Sequence, residues 1–111
     1  DFNDLRQYRY LRSFNCSSPV CACTQENETT EHFLLRCPRY NSQRLQLLNS
    51  LCKIMDSADI LFTQHSELCK LLLYGNHKFN DEVNHNILVS SIHFIKATKR
   101  FKEIEAYNTN V

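Results

Sequence analysis

A chain of 111 residues, 42% hydrophobic and 23% charged, is long enough for one packed core and too short for an ordinary multidomain enzyme. A formal charge of +1 excludes a global attraction for nucleic acid, so any such contact must come from local basic patches. One glycine and two prolines favour helices. No apolar run approaches the roughly 20 residues that cross a bilayer, and the N-terminus lacks the order of a signal peptide. The chain reads as soluble and non-secreted, and a start at Asp1 without Met reads as an excised piece.

In chain order, residues 1–14 predict a helix, with Leu5, Tyr8 and Leu11 on one face and Arg6, Arg9 and Arg12 on another. Residues 15–38 read as a loop followed by about two helical turns through Leu35, with Glu28, Thr29 and Thr30 supplying caps and first-turn acid. Residues 39–102 predict a bundle of about three helices. Pro38 can start the first, from about Arg39 to Met55, burying Leu45, Leu48, Leu51, Cys52 and Met55. Asp56 to Thr63 reads as turn and cap residues. A helix from about Gln64 to Tyr74 buries Leu68, Leu71 and Leu72 and ends at a left-handed cap on Gly75. Asn80 caps the last helix, Asp81 and Glu82 favour its start, and Lys99, Arg100 and Lys102 favour its end. Its buried face is Val83, Ile87, Ser91 and Phe94, flanked by Leu88, Ile92 and Ile95. Residues 103–111 form a polar tail. The expectation is one compact unit, mainly α: a small loop-helix knuckle followed by the bundle.

The chemistry concentrates in "CACTQENETTEHFLLRC", Cys21 to Cys37. Its pattern is C-x-C-x8-H-x4-C, and three thiolates with one imidazole complete the tetrahedron that zinc prefers. An extended or turned segment can aim Cys21 and Cys23 at one ion while His32 and Cys37 approach from a short helix and its end. Glu26, Glu28 and Glu31 read as helix caps rather than further ligands. Cys16 can replace Cys21 or stand as a spectator. Two other readings of the cluster are a disulfide framework, which six cysteines in a short secreted chain would suggest, and reduced buried cysteines beside a hydrogen-bonded histidine. The pair is tighter than usual and lacks the glycine that often follows it. The remaining histidines, His65, His77, His85 and His93, read as surface or satisfied residues.

The run "SPVCACTQENETTEHFLLRCPRYNSQRLQLLNSL", with the later "LLLYGN" and "FIKATKRF", resembles the C-terminal segment that follows the polymerase in non-LTR, LINE-like retrotransposon reverse transcriptases. The specific part is Cys21, Cys23, His32 and Cys37 followed by Pro38-x-Tyr40 and a downstream arginine; looser similarity covers nearly the whole chain. The resemblance implies that those four residues are the zinc ligands of a knuckle that helps engage element RNA or target DNA in target-primed reverse transcription. It implies as partners RNA or DNA and the rest of the parent reverse transcriptase, in a nuclear or cytoplasmic ribonucleoprotein, with no membrane.

Catalysis is not expected of this segment. The polymerase motif Tyr-x-Asp-Asp is absent, Asp56 and Asp59 do not replace it, and no Gly-rich phosphate loop, nucleophile elbow or His-Glu-x-x-His occurs. Nucleic-acid contact requires cations and stacking rings. Arg36, Arg39 and Arg44 with Tyr40 form the candidate surface beside the knuckle; Arg6, Arg9 and Arg12 with Tyr8 and Tyr10 form another, and Lys96, Lys99, Arg100 and Lys102 a third. The competing reading is a helical packing or protein-interaction module that docks on the parent polymerase without touching nucleic acid.

Overall fold

The computed structural model describes Leu5 and residues 18–101. The remainder of the expected N-terminal helix, Cys16 and the polar tail lie outside the described residues. Within them the chain is mainly helical, and no strand forms beyond a single antiparallel bridge between Val20 and Asn27. No helix there is long and apolar enough to cross a membrane. The chain divides between Asn41 and Ser42 into two compact units. Arg39 and Tyr40 fall in the first unit.

In the first unit the amide of Cys21 donates to the Glu26 carbonyl (2.8 Å), that of Thr24 to the Cys21 carbonyl (2.8 Å), and that of Glu28 to the Pro19 carbonyl (2.9 Å). These bonds fold residues 19–28 back on themselves. A π-helical turn, His32–Arg36, and a 3-10 turn, Pro38–Tyr40, follow. Leu5, Phe33 and Leu34 are fully buried.

Four helices follow among the described residues, one more than expected: α1 (Asn41–Cys52), α2 (Ser57–Phe62), α3 (His65–Tyr74) and α4 (Asp81–Thr98). The additional helix, α2, forms where turn residues were read, because Asp56 acts as its N-cap and accepts from the Ala58 amide (3.1 Å). Helix α1 is shorter than predicted and rotated. Its buried residues are Arg44, Leu47 and Leu51, whereas Leu45 is 60% exposed and Cys52 lies outside. After Cys52 the bonds tighten, Ile54 to the Leu51 carbonyl at 3.0 Å, and the helix stops without reaching Met55.

Helix α3 packs on α4 and buries Leu68, Cys69, Leu71 and Leu72. Gly75 ends it at φ 72, ψ −169: the positive φ expected of a glycine cap, in an extended rather than a left-handed helical conformation. Asn80 caps α4 as expected, its side chain accepting from the Val83 amide (2.8 Å). Helix α4 ends at Thr98 because Lys99 adopts a left-handed conformation. Ile87, Ser91 and Phe94 are its buried residues, while Leu88 and Ile92 are partly exposed. Each fully buried side chain such as Leu51, Leu72 or Ile87 contributes about 1.5–3 kcal/mol to holding the second unit together.

Candidate metal centre

The two halves of the C-x-C…H-x4-C pattern reach one point by different local devices. In the first half, Thr24 takes φ 70 at the position where such turns often carry glycine, and the chain reverses directly after Cys23. In the second, the His32 amide donates to the Thr29 hydroxyl (3.1 Å), so Thr29 fills the capping role expected of it. The π-helical turn then lets the Cys37 amide donate to the His32 carbonyl (2.7 Å). In an α-helix, residues five apart are separated by roughly 140° around the axis. The wider turn brings Cys37 back over His32, and such π turns recur at functional sites.

As a result Cys21, Cys23, His32 and Cys37 present one donor atom each, all within 4.8 Å of one another. The Cys21 and Cys37 Sγ atoms lie 3.8 Å apart, and Cys23 Sγ lies 3.3 Å from His32 Nε2. A tetrahedral ion bound through sulfur at roughly 2.3 Å requires sulfur pairs at roughly 3.8 Å. The donor set therefore fits a metal ion in number, type and spacing. His32 and Cys37 are fully buried and Cys21 nearly so, with Cys23 half-buried. All five described cysteines are free thiols, so no disulfide framework forms among them.

Burial pushes the Cys21 thiol up to about 11, against the opposing influence of a backbone hydrogen bond from Cys23. For Cys23, burial acts in the same upward sense but is outweighed by backbone hydrogen bonding from Gln25 and by the Cys21 and Cys37 thiols, so its pKa falls below the ordinary value. A metal ion bound here displaces the thiol protons, because the ligand is the thiolate.

The acidic residues read as caps prove to be partners of the site's other side chains. Glu26 Oε2 approaches His32 Nδ1 at 3.2 Å, off the direction of an aligned hydrogen bond. This leaves Nε2 as the nitrogen facing the thiols, with a carboxylate behind the ring, an arrangement that orients metal-binding histidines. Arg36 closes on the same carboxylate, Nη2 to Oε1 at 2.8 Å and Nε to both oxygens at 3.0 Å, and reaches Glu31 at 3.3 Å. Hydrogen bonding from Arg36 holds the Glu26 carboxyl below its usual range. Glu28, with 1% of its side chain exposed, is bound by Arg39 Nη2 at 2.9 Å.

The arginines expected to form a basic surface beside the knuckle are partly engaged within the protein, with 32% of the Arg36 and 33% of the Arg39 side chain still exposed. Arg36 and Arg39 are paired as above. Tyr40 is buried, packs edge-on against Phe33 with ring centroids 5.4 Å apart, and has the Arg39 guanidinium 5.0 Å from its own centroid. Only 7% of Tyr40 is exposed. Arg44 lies in the second unit, 8% exposed, with its guanidinium 5.6 Å from the Phe94 ring centroid. The cause is a rotation of α1 that places Arg44, not Leu45, on the inner face. The four other histidines are exposed, as expected. Sequence reasoning missed the pairing of Glu26 and Glu28 with Arg36 and Arg39. The signal for it was the presence of acids and arginines on both sides of the ligand pattern. Compared with protein-family models, curated proteins and solved structures, the chain matches none.

Proposed function

We propose that residues 18–41 form a structural zinc knuckle in an accessory, non-catalytic module of a non-LTR retrotransposon reverse transcriptase, and that the module engages element RNA or target DNA. The observation that carries the metal assignment is the convergence of four donor atoms within 4.8 Å. Thiolate and imidazole donors suit zinc and disfavour magnesium or calcium. Three thiolates and one histidine also fill a tetrahedron, leaving no position for a substrate or a reactive water. The ion's task is to fasten the 19–28 loop to the π-helical turn, so that binding energy becomes folding energy.

The nucleic-acid assignment rests on the resemblance of the ligand pattern and its flanks. Exposed Lys96 and Lys99, at the C-terminal end of α4, supply cations suited to phosphate. Metal analysis of the purified chain, repeated with Cys37→Ser, tests the first part: one zinc per chain is expected, with loss in the variant. Binding of single-stranded RNA, single-stranded DNA and duplex DNA across a salt series tests the second. Affinity that falls steeply with salt supports it.

A second reading, a packing module docking on the parent polymerase, is favoured by a specific observation. Leu61, Phe62 and Tyr74 are 79%, 88% and 82% exposed, and Phe62 borders a cleft of about 460 Å³ with Met55, Leu71 and Phe79. Exposed apolar surface of this kind marks interaction sites. Zinc binding without nucleic-acid binding at any salt concentration would favour this second reading.

A further inference from the structure

Arg39 sits at the meeting point of three acceptors. Its Nη2 lies 3.0 Å from Cys21 Sγ and 2.9 Å from Glu28 Oε2, and its Nε lies 3.4 Å from Cys37 Sγ. The two sulfurs belong to opposite halves of the ligand set, one from the loop and one from the end of the π-helical turn. The planar guanidinium fork spans both with donors fixed in one plane. Pro38 and the 3-10 turn that it opens set the direction from which Arg39 enters.

The charges explain why a cation is needed at that point. Three thiolates around a divalent ion carry a net negative charge, and beside them lies a carboxylate with 1% exposure. A carboxylate buried next to an anionic centre is costly unless a cation lies between them. We propose that Arg39 is the positioning and charge-compensating residue of the metal centre, tying the Cys21 and Cys37 sulfurs to the buried Glu28 carboxylate. This rests on the zinc reading above and assigns Arg39 to the metal rather than to phosphate. Glu28 in turn holds the guanidinium against the sulfurs. Charge-assisted N–H···S bonds withdraw electron density from the thiolates, and the partners behind metal ligands tune affinity in this way.

The test uses the full chain with Zn(II) and with Co(II) as a spectroscopic substitute, comparing wild type, Arg39→Ala, Arg39→Lys, Glu28→Gln and the Arg39→Ala, Glu28→Gln double variant. Wild type must bind one Co(II) with tetrahedral thiolate bands; if it does not, the zinc reading fails and this inference with it. Given that binding, Arg39→Ala is expected to weaken Zn(II) affinity by about 10- to 100-fold. Arg39→Lys, which keeps the charge and loses the fork, is expected to fall between the two. Removing Glu28 in the alanine background is expected to restore several-fold of the loss, because the buried negative charge left behind has gone. Loss of the N–H···S bonds is also expected to move the sulfur-to-cobalt charge-transfer band to lower energy and to speed thiolate alkylation. A merely structural prop would produce neither change.

Wild-type affinity and an unshifted band in Arg39→Ala would overturn the inference while leaving the zinc reading intact. Equal losses in Arg39→Lys and Arg39→Ala, or a double variant no tighter than Arg39→Ala, would also overturn it, because charge would then not be what Arg39 supplies.

Discussion

The amide of Cys37 donates to the carbonyl of His32 over 2.7 Å, so two residues of the candidate metal site, five apart in sequence, are joined through their own backbones. The bond closes the π-helical turn His32–Arg36 and fixes the spacing between imidazole and thiol. One alanine inserted between Leu34 and Leu35 lengthens that spacing to six residues and turns Cys37 away from Cys21 and Cys23. The insertion is expected to abolish stoichiometric zinc binding, measured by competition with a chromophoric chelator. Leu35→Ala, which preserves the spacing, is expected to retain it.

Thr24 shows that the loop half of the site is held in a strained conformation. A β-branched residue at φ 70 is an outlier that costs about 1–3 kcal/mol. Glycine removes that strain and gives back about 0.5–1 kcal/mol through the greater freedom of the unfolded chain. Thr24→Gly is therefore expected to stabilise the zinc-loaded chain by about 1 kcal/mol in urea unfolding, and Thr24→Val to bring no gain. Destabilisation by the glycine variant would refute the strain argument.

Gly75 has the opposite sensitivity. Its φ of 72 disfavours any side chain, and a Cβ there would lie 2.8 Å from Asn84 Oδ1. Asn84 is already engaged: its Oδ1 accepts from the Asn76 amide (2.9 Å), and its Nδ2 donates to the carbonyls of Asn76 (2.9 Å) and Phe79 (3.3 Å). Gly75→Ala is expected to cost about 2 kcal/mol by combining backbone strain with displacement of this latch. Asn84→Ala is expected to lose about 0.5–1.5 kcal/mol through these hydrogen bonds alone, since the Asn76 groups it releases are exposed and return to water. Chemical denaturation of both variants, with zinc content unchanged, is the check.

How far these features could be read in advance depends on how local their causes are. The Asn80 cap and the helix stop at Gly75 followed from single residues whose preferences act within one turn, and both formed. The cluster of candidate donors was legible because its three thiols and imidazole fall within one short segment, and the fold brings them together. Leu51 is buried as expected, but the rest of the α1 face was misread because Leu45, Leu48 and Cys52 continue an apolar stripe through Leu51 as regularly as Leu47 does. What chose between them was the packing of Arg44 on Phe94, a residue three helices further along the chain. The pairing of Glu28 with Arg39 was likewise invisible to periodicity, since it requires the loop and the 3-10 turn to meet around the thiols. The π-helical turn hides for a related reason: nothing in "HFLLR" distinguishes it from an α-helical turn until both of its ends are tied to the same centre.

Arg44 offers a way to separate a structural role from the proposed nucleic-acid role among the basic residues. Its side chain is 8% exposed and its guanidinium lies over the Phe94 ring, so its apolar stem and its charge are both used inside the second unit. Arg44→Ala removes both and is expected to cost about 1–2 kcal/mol of stability. Arg44→Met keeps a long apolar stem and is expected to recover more than half of that loss. Neither change removes a phosphate partner, so the slope of log affinity against log salt for RNA or DNA is expected to stay at the wild-type value. A Lys96→Ala, Lys99→Ala variant removes two exposed cations from the end of α4 and is expected to flatten that slope by about one unit for each phosphate no longer neutralised. Stability comes from denaturant unfolding and the slope from titrations across a salt series. A flattened slope in Arg44→Met at near wild-type stability would place Arg44 on the nucleic acid after all. An unchanged slope in the lysine variant would remove the end of α4 from the proposed nucleic-acid surface and favour the alternative proposal of a docking surface at Leu61, Phe62 and Tyr74.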